Sequence, residues 1–354
     1  MRQIFLYCHV LFHLDIMIRL GLLITKKYRL LSVAAILDVF ESANVFHEQK
    51  NGCPFFEITL FSSDDQPGEF NESYRIQPIQ NAVQQDLILI PAFGAGDLQA
   101  SIAKNQMCIP WLRGQHANGA EIASFCTGAF LLAMAGLLNG KEATTHIDAA
   151  LTFASNFPEV IMKSDAVVTD DKGIYTSGGA TSSFHLMLYL IQRYCGKEIT
   201  LRTAKMFAID MDREQQTYFG TFTPLQNHGD GLVNMAQQKI ETAYQEGRTI
   251  EELIQDIPAS RRNVVRRFKQ AVGLTPIEYL QKTRIEAAKK LLEQTDQSVL
   301  EVMLNSGYND LKSFRQLFKK STGITPKEYR DKFNISRIDG MRNNRMSKRM
   351  PQNI

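Results

Sequence analysis

Cysteine is scarce here: Cys8, Cys53, Cys108, Cys126 and Cys195 are spread over 354 residues, odd in number and without a Cys-x-x-Cys spacing. That argues against a disulfide framework and a zinc site, and fits a reducing compartment. Charge of one sign is also lacking, because 40 Lys and Arg face 37 Asp and Glu, a net +3. The chain as a whole is therefore not marked as a polycation, and any basic surface must be local. Long apolar runs are missing from the start of the chain, where the stretch from Ile4 to Phe12 is interrupted by His9 and followed by His13, Asp15 and Arg19. It falls short of the roughly 20 residues a spanning helix needs and has no small-residue cleavage site, which opposes the competing reading of a signal peptide. No cofactor, no metal and no membrane partner is expected, and the location is taken as cytoplasmic.

What the chain does have is a sentence written twice. Phe268-Lys-Gln-Ala-Val-Gly273-Leu-Thr275-Pro276-Ile-Glu278-Tyr279 returns fifty positions later as Phe318-Lys-Lys-Ser-Thr-Gly323-Ile-Thr325-Pro326-Lys-Glu328-Tyr329. In each copy Thr-Pro-x-Glu predicts a helix start, with threonine as N-cap, proline in the first turn and glutamate reaching back. The preceding glycine supplies a left-handed stop for the helix before it. Upstream, Thr249 with Glu252 and Ser298 with Glu301 form further capping boxes that open short helices. Breaks follow at residues 257–260 and 306–310, where Ser260 and Asp310 can cap a second helix. The pattern is short helix, turn, longer helix, twice over.

In the first copy the longer helix buries Val264, Phe268 and Val272. It leaves Arg261, Arg262, Asn263, Arg266, Arg267 and Lys269 for an outer face. In the second, Phe314 and Phe318 are buried and Lys312, Ser313, Arg315, Gln316, Lys319 and Lys320 are shown. Such faces suit duplex DNA: cations pair with phosphates, arginine offers two donors to a guanine edge, and asparagine or glutamine can make two bonds to one adenine edge. The alternative, two solvated helix faces, fits one helix better than a duplicated unit.

With these motifs the stretch 232–331 resembles the AraC/XylS family of bacterial transcription regulators. The resemblance implies an all-α double helix-turn-helix domain whose units share one long helix. That helix is readable from Pro276 to about Gln294, with Ile277, Leu280, Arg284, Ala287 or Ala288, and Leu291 at helical spacing. The family usually has arginine where this chain has Gln316, whereas Arg266 keeps the corresponding place in the first unit, so the first unit is expected to dominate base reading.

From Met17 to about 208, short apolar runs at 17–24, 55–61, 86–90, 120–125 and 173–177 alternate with helical patterns at 33–49, 99–116, 129–137 and 180–195. This predicts an α/β domain, a parallel sheet flanked by helices. Its most informative stretch is Glu121-Ile-Ala-Ser-Phe-Cys126-Thr127-Gly128-Ala-Phe, a buried strand, a sharp turn at Cys126 and an alanine-rich helix. This cysteine elbow strains the apex, and a helix N-terminus there lowers a thiol pKa. With Asp38 in its context, Ala143-Thr-Thr-His146 and Tyr175-Thr-Ser-Gly178-Gly179, it resembles the PfpI-like, class I glutamine amidotransferase-like superfamily. The domain order resembles the GlxA-like branch of the AraC regulators. Where catalytic members carry an acid, this chain is read as having Ser32, and the residue after the cysteine is Thr127. Hence no catalytic residue is assigned. A non-catalytic sensor pocket is expected from Cys126, Thr127, Gly128, His146, Gly178 and Gly179, with backbone amides suited to a carboxylate, carbonyl or other anionic group. Rivals are a cysteine-dependent hydrolase or hydratase, which needs a carboxylate such as Asp38 or Asp148, and a redox sensor through Cys126.

The resulting expectation is a ligand-responsive, sequence-specific regulator in the bacterial cytoplasm, on the nucleoid when bound to DNA. Its partners would be double-stranded promoter DNA, a small-molecule effector, a second copy in a homodimer, and RNA polymerase. Its segments are an extension at 1–16, a sensor and dimerisation domain at 17–208, a linker at 209–231, the DNA-binding domain at 232–331 beginning with an extra helix near 231, and a basic, disordered tail at 332–354. The extension is read either as structurally unimportant or as an artefact of start-site choice.

Overall fold

The structure, a computed structural model, describes residues 17–65, 68–70, 74–94, 97–179, 181–211, 222 and 228–334. The chain divides into two compact units, Met1–Gln216 and Thr217–Ile354. The extension at 1–16, most of the linker and the tail beyond 334 lie outside the described residues.

In the first unit the strands are β1 (Ile18–Leu23), β2 (Phe56–Ser62), β3 (Glu69–Phe70), β4 (Tyr74–Pro78), β5 (Leu87–Ile90), β6 (Glu121–Phe125), β7 (Glu142–Ala143), β8 (Ile161–Met162), β9 (Val168–Asp171) and β10 (Ile174–Ser177). Eight of these form one sheet in the order β3-β4-β2-β1-β5-β6-β10-β9; β7 and β8 make a small pair of their own. All neighbours from β4 to β10 run parallel, and only the outer strands β3 and β9 are antiparallel. Central strands such as Leu87-Ile-Leu-Ile90 are buried throughout, so they read as continuous apolar runs.

The helices are α1 (Leu30–Asn51), α2 (Leu98–Lys104), α3 (Ile109–Ala117), α4 (Ala129–Met134), α5 (Ala150–Asn156), α6 (Ser182–Cys195) and α7 (Lys197–Met206). Alternate strand residues feed two cores. Leu20, Leu22, Leu87, Leu89, Phe125 and Tyr175 pack with Ile36 and Phe40 of α1 and Leu186 and Leu190 of α6. Leu23, Ile88, Ile90, Ile122 and Ile174 pack with Leu112 of α3, Phe130 of α4 and Phe153 of α5. Helix α1 is long and apolar enough to cross a membrane, but here Val33, Ile36, Leu37, Val39 and Phe40 are core residues.

The five expected strands are present. The helix expected over 99–116 is instead two helices, because the Asn105 amide turns out of the helix to bond the Lys26 backbone: its Nδ2 donates to the Lys26 carbonyl at 3.0 Å, and its Oδ1 accepts from the Lys26 amide at 2.6 Å. Strands β3, β4, β7, β8 and β9 and helices α5 and α7 have no counterpart among the expected elements.

The second unit is helical: α8 (Gly231–Ala243), α9 (Ile250–Ile254), α10 (Arg261–Val272), α11 (Pro276–Gln294), α12 (Val299–Asn305), α13 (Leu311–Thr322) and α14 (Pro326–Phe333). All four capping boxes form with both bonds, at Thr249, Thr275, Ser298 and Thr325. Gly273 and Gly323 adopt φ of 77° and 81° to stop α10 and α13. The joining helix α11 spans the expected residues; Tyr279, Leu280, Ile285, Ala288 and Leu292 make its inner face, Leu291 packs partly buried against it, and Ile277 is exposed. The tail begins later than expected. Lys332 and Phe333 still belong to α14, and buried Asn334 donates from Nδ2 to the Leu292 and Thr295 carbonyls.

Candidate functional site

In the first unit the backbone turns sharply where β6 ends. Cys126 takes φ = 55°, left-handed and costly for any residue with a Cβ, so the fold around it must hold it there. Thr145 Oγ1 donates to the Cys126 carbonyl at 2.9 Å. The Thr127 hydroxyl donates to the Phe93 carbonyl at 2.7 Å and accepts the Phe93 amide at 3.0 Å. At Gly128 any Cβ would stand 2.7 Å from the Ile90 carbonyl oxygen, which fixes the close approach of the turn to β5.

Above this turn lies a cleft of about 850 Å³ lined by Arg29, Ser32, Phe93, Cys126, His146 and Asp148, among others. It opens outside the carboxyl ends of β1, β5, β6 and β10. Between β1 and β5 the order of strands reverses, and open α/β sheets bind ligands at such a switch point. Its volume is that of a small-molecule site.

Cys126, Thr127 and His146 thus meet in one cleft. Gly128, Gly178 and Gly179 do not line it: Gly128 is buried against β5, the Gly178 amide donates to the Val167 carbonyl, and Gly179 lies under the imidazole, where a Cβ would collide with His146 Cδ2. Ser32, read as standing where an acid would be, is at the cleft, and its hydroxyl accepts the Ala92 amide at 3.0 Å. Asp38 is exposed on α1 and is not part of the lining. Asp148 is part of it, with Oδ2 at 3.8 Å from His146 Nδ1. Sequence reasoning missed Arg29, Phe93, Gln99 and Phe184, which come from loops and helices far apart in the chain. Among the described residues no cluster of three or more His, Cys, Asp and Glu could hold a metal ion.

In the second unit, helices α10 and α13 present their N-terminal halves outward. Ser260 Oγ accepts the Asn263 amide and Asp310 Oδ1 the Ser313 amide, which starts each helix. Arg261, Arg262, Arg266, Lys312, Ser313, Arg315, Gln316 and Lys319 are all exposed, and Asn263 is half-buried. Arg266 donates to Asn263 Oδ1 at 3.0 Å, and Arg261 pairs with Glu251. Arg267 departs from the expected outer face. Its guanidinium grips Asp230, Nε to Oδ2 and Nη2 to Oδ1 both at 2.8 Å, and Asp230 also caps α8 by accepting the Leu232 and Val233 amides. The Arg267 guanidinium and these amides hold the Asp230 carboxyl below its usual range.

Residues 61–193 match the DJ-1/PfpI family, and residues 253–332 match a family described as a helix-turn-helix domain. The chain joins a DJ-1/PfpI domain to an AraC-type helix-turn-helix domain. Over 318 residues, 88% of this chain and 83% of the other, it is 27% identical to the HTH-type transcriptional regulator GbdR of Pseudomonas aeruginosa. It is 23% identical to the HTH-type transcriptional regulator GlxA of Rhizobium meliloti over 87% of this chain and 94% of that one. A crystal structure of an AraC family transcriptional regulator from Pseudomonas putida superimposes with a TM-score of 0.45 at 18% identity, covering 54% of this chain and 99% of that one. The cleft belongs to the DJ-1/PfpI domain, and the two basic faces belong to the helix-turn-helix domain.

Proposed function

We propose that this protein is a sequence-specific DNA-binding transcription regulator whose DJ-1/PfpI domain binds a small effector without turning it over. The observation that carries the reading is the pair of capped helices α10 and α13, each exposing arginine beside an amide side chain, in a domain matched by a helix-turn-helix family. Two such helices can enter successive major grooves about 10 base pairs apart, so one chain would read an asymmetric site of roughly 20 base pairs. We place the protein in the cytoplasm as a homodimer, with RNA polymerase as its eventual partner at the promoter.

The cleft supports the effector reading through its size and through Arg29, His146 and Asp148, polar side chains set in a mainly apolar lining. His146 supports a binding role over that of a base. Its Nδ1 accepts the Asp148 amide at 3.2 Å, so a neutral ring carries its proton on Nε2, the nitrogen left to donate to a ligand.

The test uses full-length protein and fragments of its own genome. Arg262→Ala or Arg266→Ala should cost about 1–3 kcal/mol at a selected site and little on random DNA, and Arg315→Ala should cost less than Arg266→Ala. Equal losses on both DNAs would refute base reading, and Cys126-dependent turnover of an ester or amide would refute the non-catalytic cleft.

A further inference from the structure

Helix α11 does more than connect the two helix-turn-helix units. Midway along it, Arg284 donates from Nε to the Tyr244 carbonyl and from Nη2 to the Arg248 carbonyl, both at 2.8 Å. These carbonyls belong to the loop that leads into α9, hence to the first helix-turn-helix. The same guanidinium lies 5.6 Å from the ring centre of Tyr308, in the turn between α12 and α13 of the second helix-turn-helix. Tyr308 packs its ring on Phe314 at 5.3 Å, and its buried hydroxyl has no hydrogen-bond partner among the described residues. The ring is therefore placed by its faces and not by its oxygen.

Two glycines close the same seam. Gly307 is buried at φ = 87°, and a Cβ there would collide with the Tyr244 carbonyl oxygen and come within 2.8 Å of Arg284 Nε. Gly247, at φ = 67°, faces Asn309, whose Nδ2 would lie 3.0 Å from a Cβ. The turn of the second helix-turn-helix thus sits directly on the loop before the first, with one planar, permanently charged side chain bonded to one and within cation–π range of the other. Lysine cannot reproduce this, having a single point charge and no plane to bridge two carbonyls.

We infer that Arg284 is a positioning residue that fixes the separation and twist of α10 and α13, and so makes the protein selective for the spacing between the two base blocks it reads. This rests on the DNA-binding reading above. Adding one base pair between the blocks moves the second by about 3.4 Å and turns it by roughly 35°. A pair of helices locked together cannot follow that change; a loosened pair can.

The experiment selects a site from random duplexes with the full-length chain, then compares binding to that site and to versions with one base pair inserted or deleted between the two protected blocks. The wild type should lose about tenfold or more in affinity on either change, and Arg284→Gln should reduce that penalty to about threefold or less while keeping its preference for each block alone. Arg284→Lys, which keeps charge and length, should fold and lie between them. A full wild-type penalty in either folded variant would overturn the inference. Failure of the wild type to select any sequence would sink the DNA-binding reading instead.

Discussion

At the scale of single residues, what a side chain can do is set by its partner. Arg266 and Arg267 are adjacent and chemically identical, yet one lies exposed beside Asn263 and the other is bound to Asp230. The sequence cannot separate them, because Asp230 is 37 positions away and nothing local announces the pairing. Cysteines divide similarly. Burial disfavours the thiolate, which pushes Cys108 up to about 11 and Cys195 up to about 12. Cys108, fully buried, should therefore resist alkylation by iodoacetamide at pH 8 in the native protein and react once it is unfolded in guanidinium, as peptide mass spectrometry would report. Native labelling of Cys108 would contradict the burial. The elbow cysteine was recognisable because strand, apex and helix are contiguous. The cleft's other walls were not, since Arg29, Phe93 and Phe184 are assembled by the sheet.

At the scale of elements, local signals were the legible ones. Each capping box is complete within four residues, so Thr249, Thr275, Ser298 and Thr325 could be named before any fold was known. The break in 99–116 was hidden because Asn105 bonds backbone 79 positions distant. β4 was hidden because its residues alternate between partly buried and exposed at the margin of the sheet. Replacing a cap should be costly in proportion to the lost bond: Thr325→Ala should lower stability by about 1 kcal/mol in urea titrations. The same boxes predict an acid response. Glu252, Glu278, Glu301 and Glu328 each accept the N-cap backbone amide, which depresses their carboxyl pKa in the folded state. Their contribution is whole above the unfolded carboxyl range near about 4.3 and disappears as pH falls through the lower folded values. Glu328→Gln should flatten that acid limb of the urea midpoint against pH; an unchanged slope would show the box to be inert.

At the scale of the molecule, the division into a cleft-bearing unit and a helical unit was legible from two kinds of periodicity and one internal repeat. The seam around Arg284 was not, because it joins residues 244, 284 and 308 through geometry alone. A screen of small amines, amino acids and carboxylates against the full-length chain should find a compound that raises the melting temperature. At a concentration one hundred times its dissociation constant such a compound adds about 2.7 kcal/mol to the unit that binds it. His146→Ala should abolish the rise; a rise untouched by that change would place the ligand elsewhere.

The outermost strands of the large sheet have a bearing on how copies of this protein can meet. One margin ends in the two-residue β3, and the other in β9, whose sequence Val-Thr-Asp-Asp carries two carboxylates. Both run against the direction of their neighbours. A stub and an acidic rail give an incoming polypeptide little to zip onto. Growth of the sheet into ribbons by strand addition is thereby disfavoured at both margins.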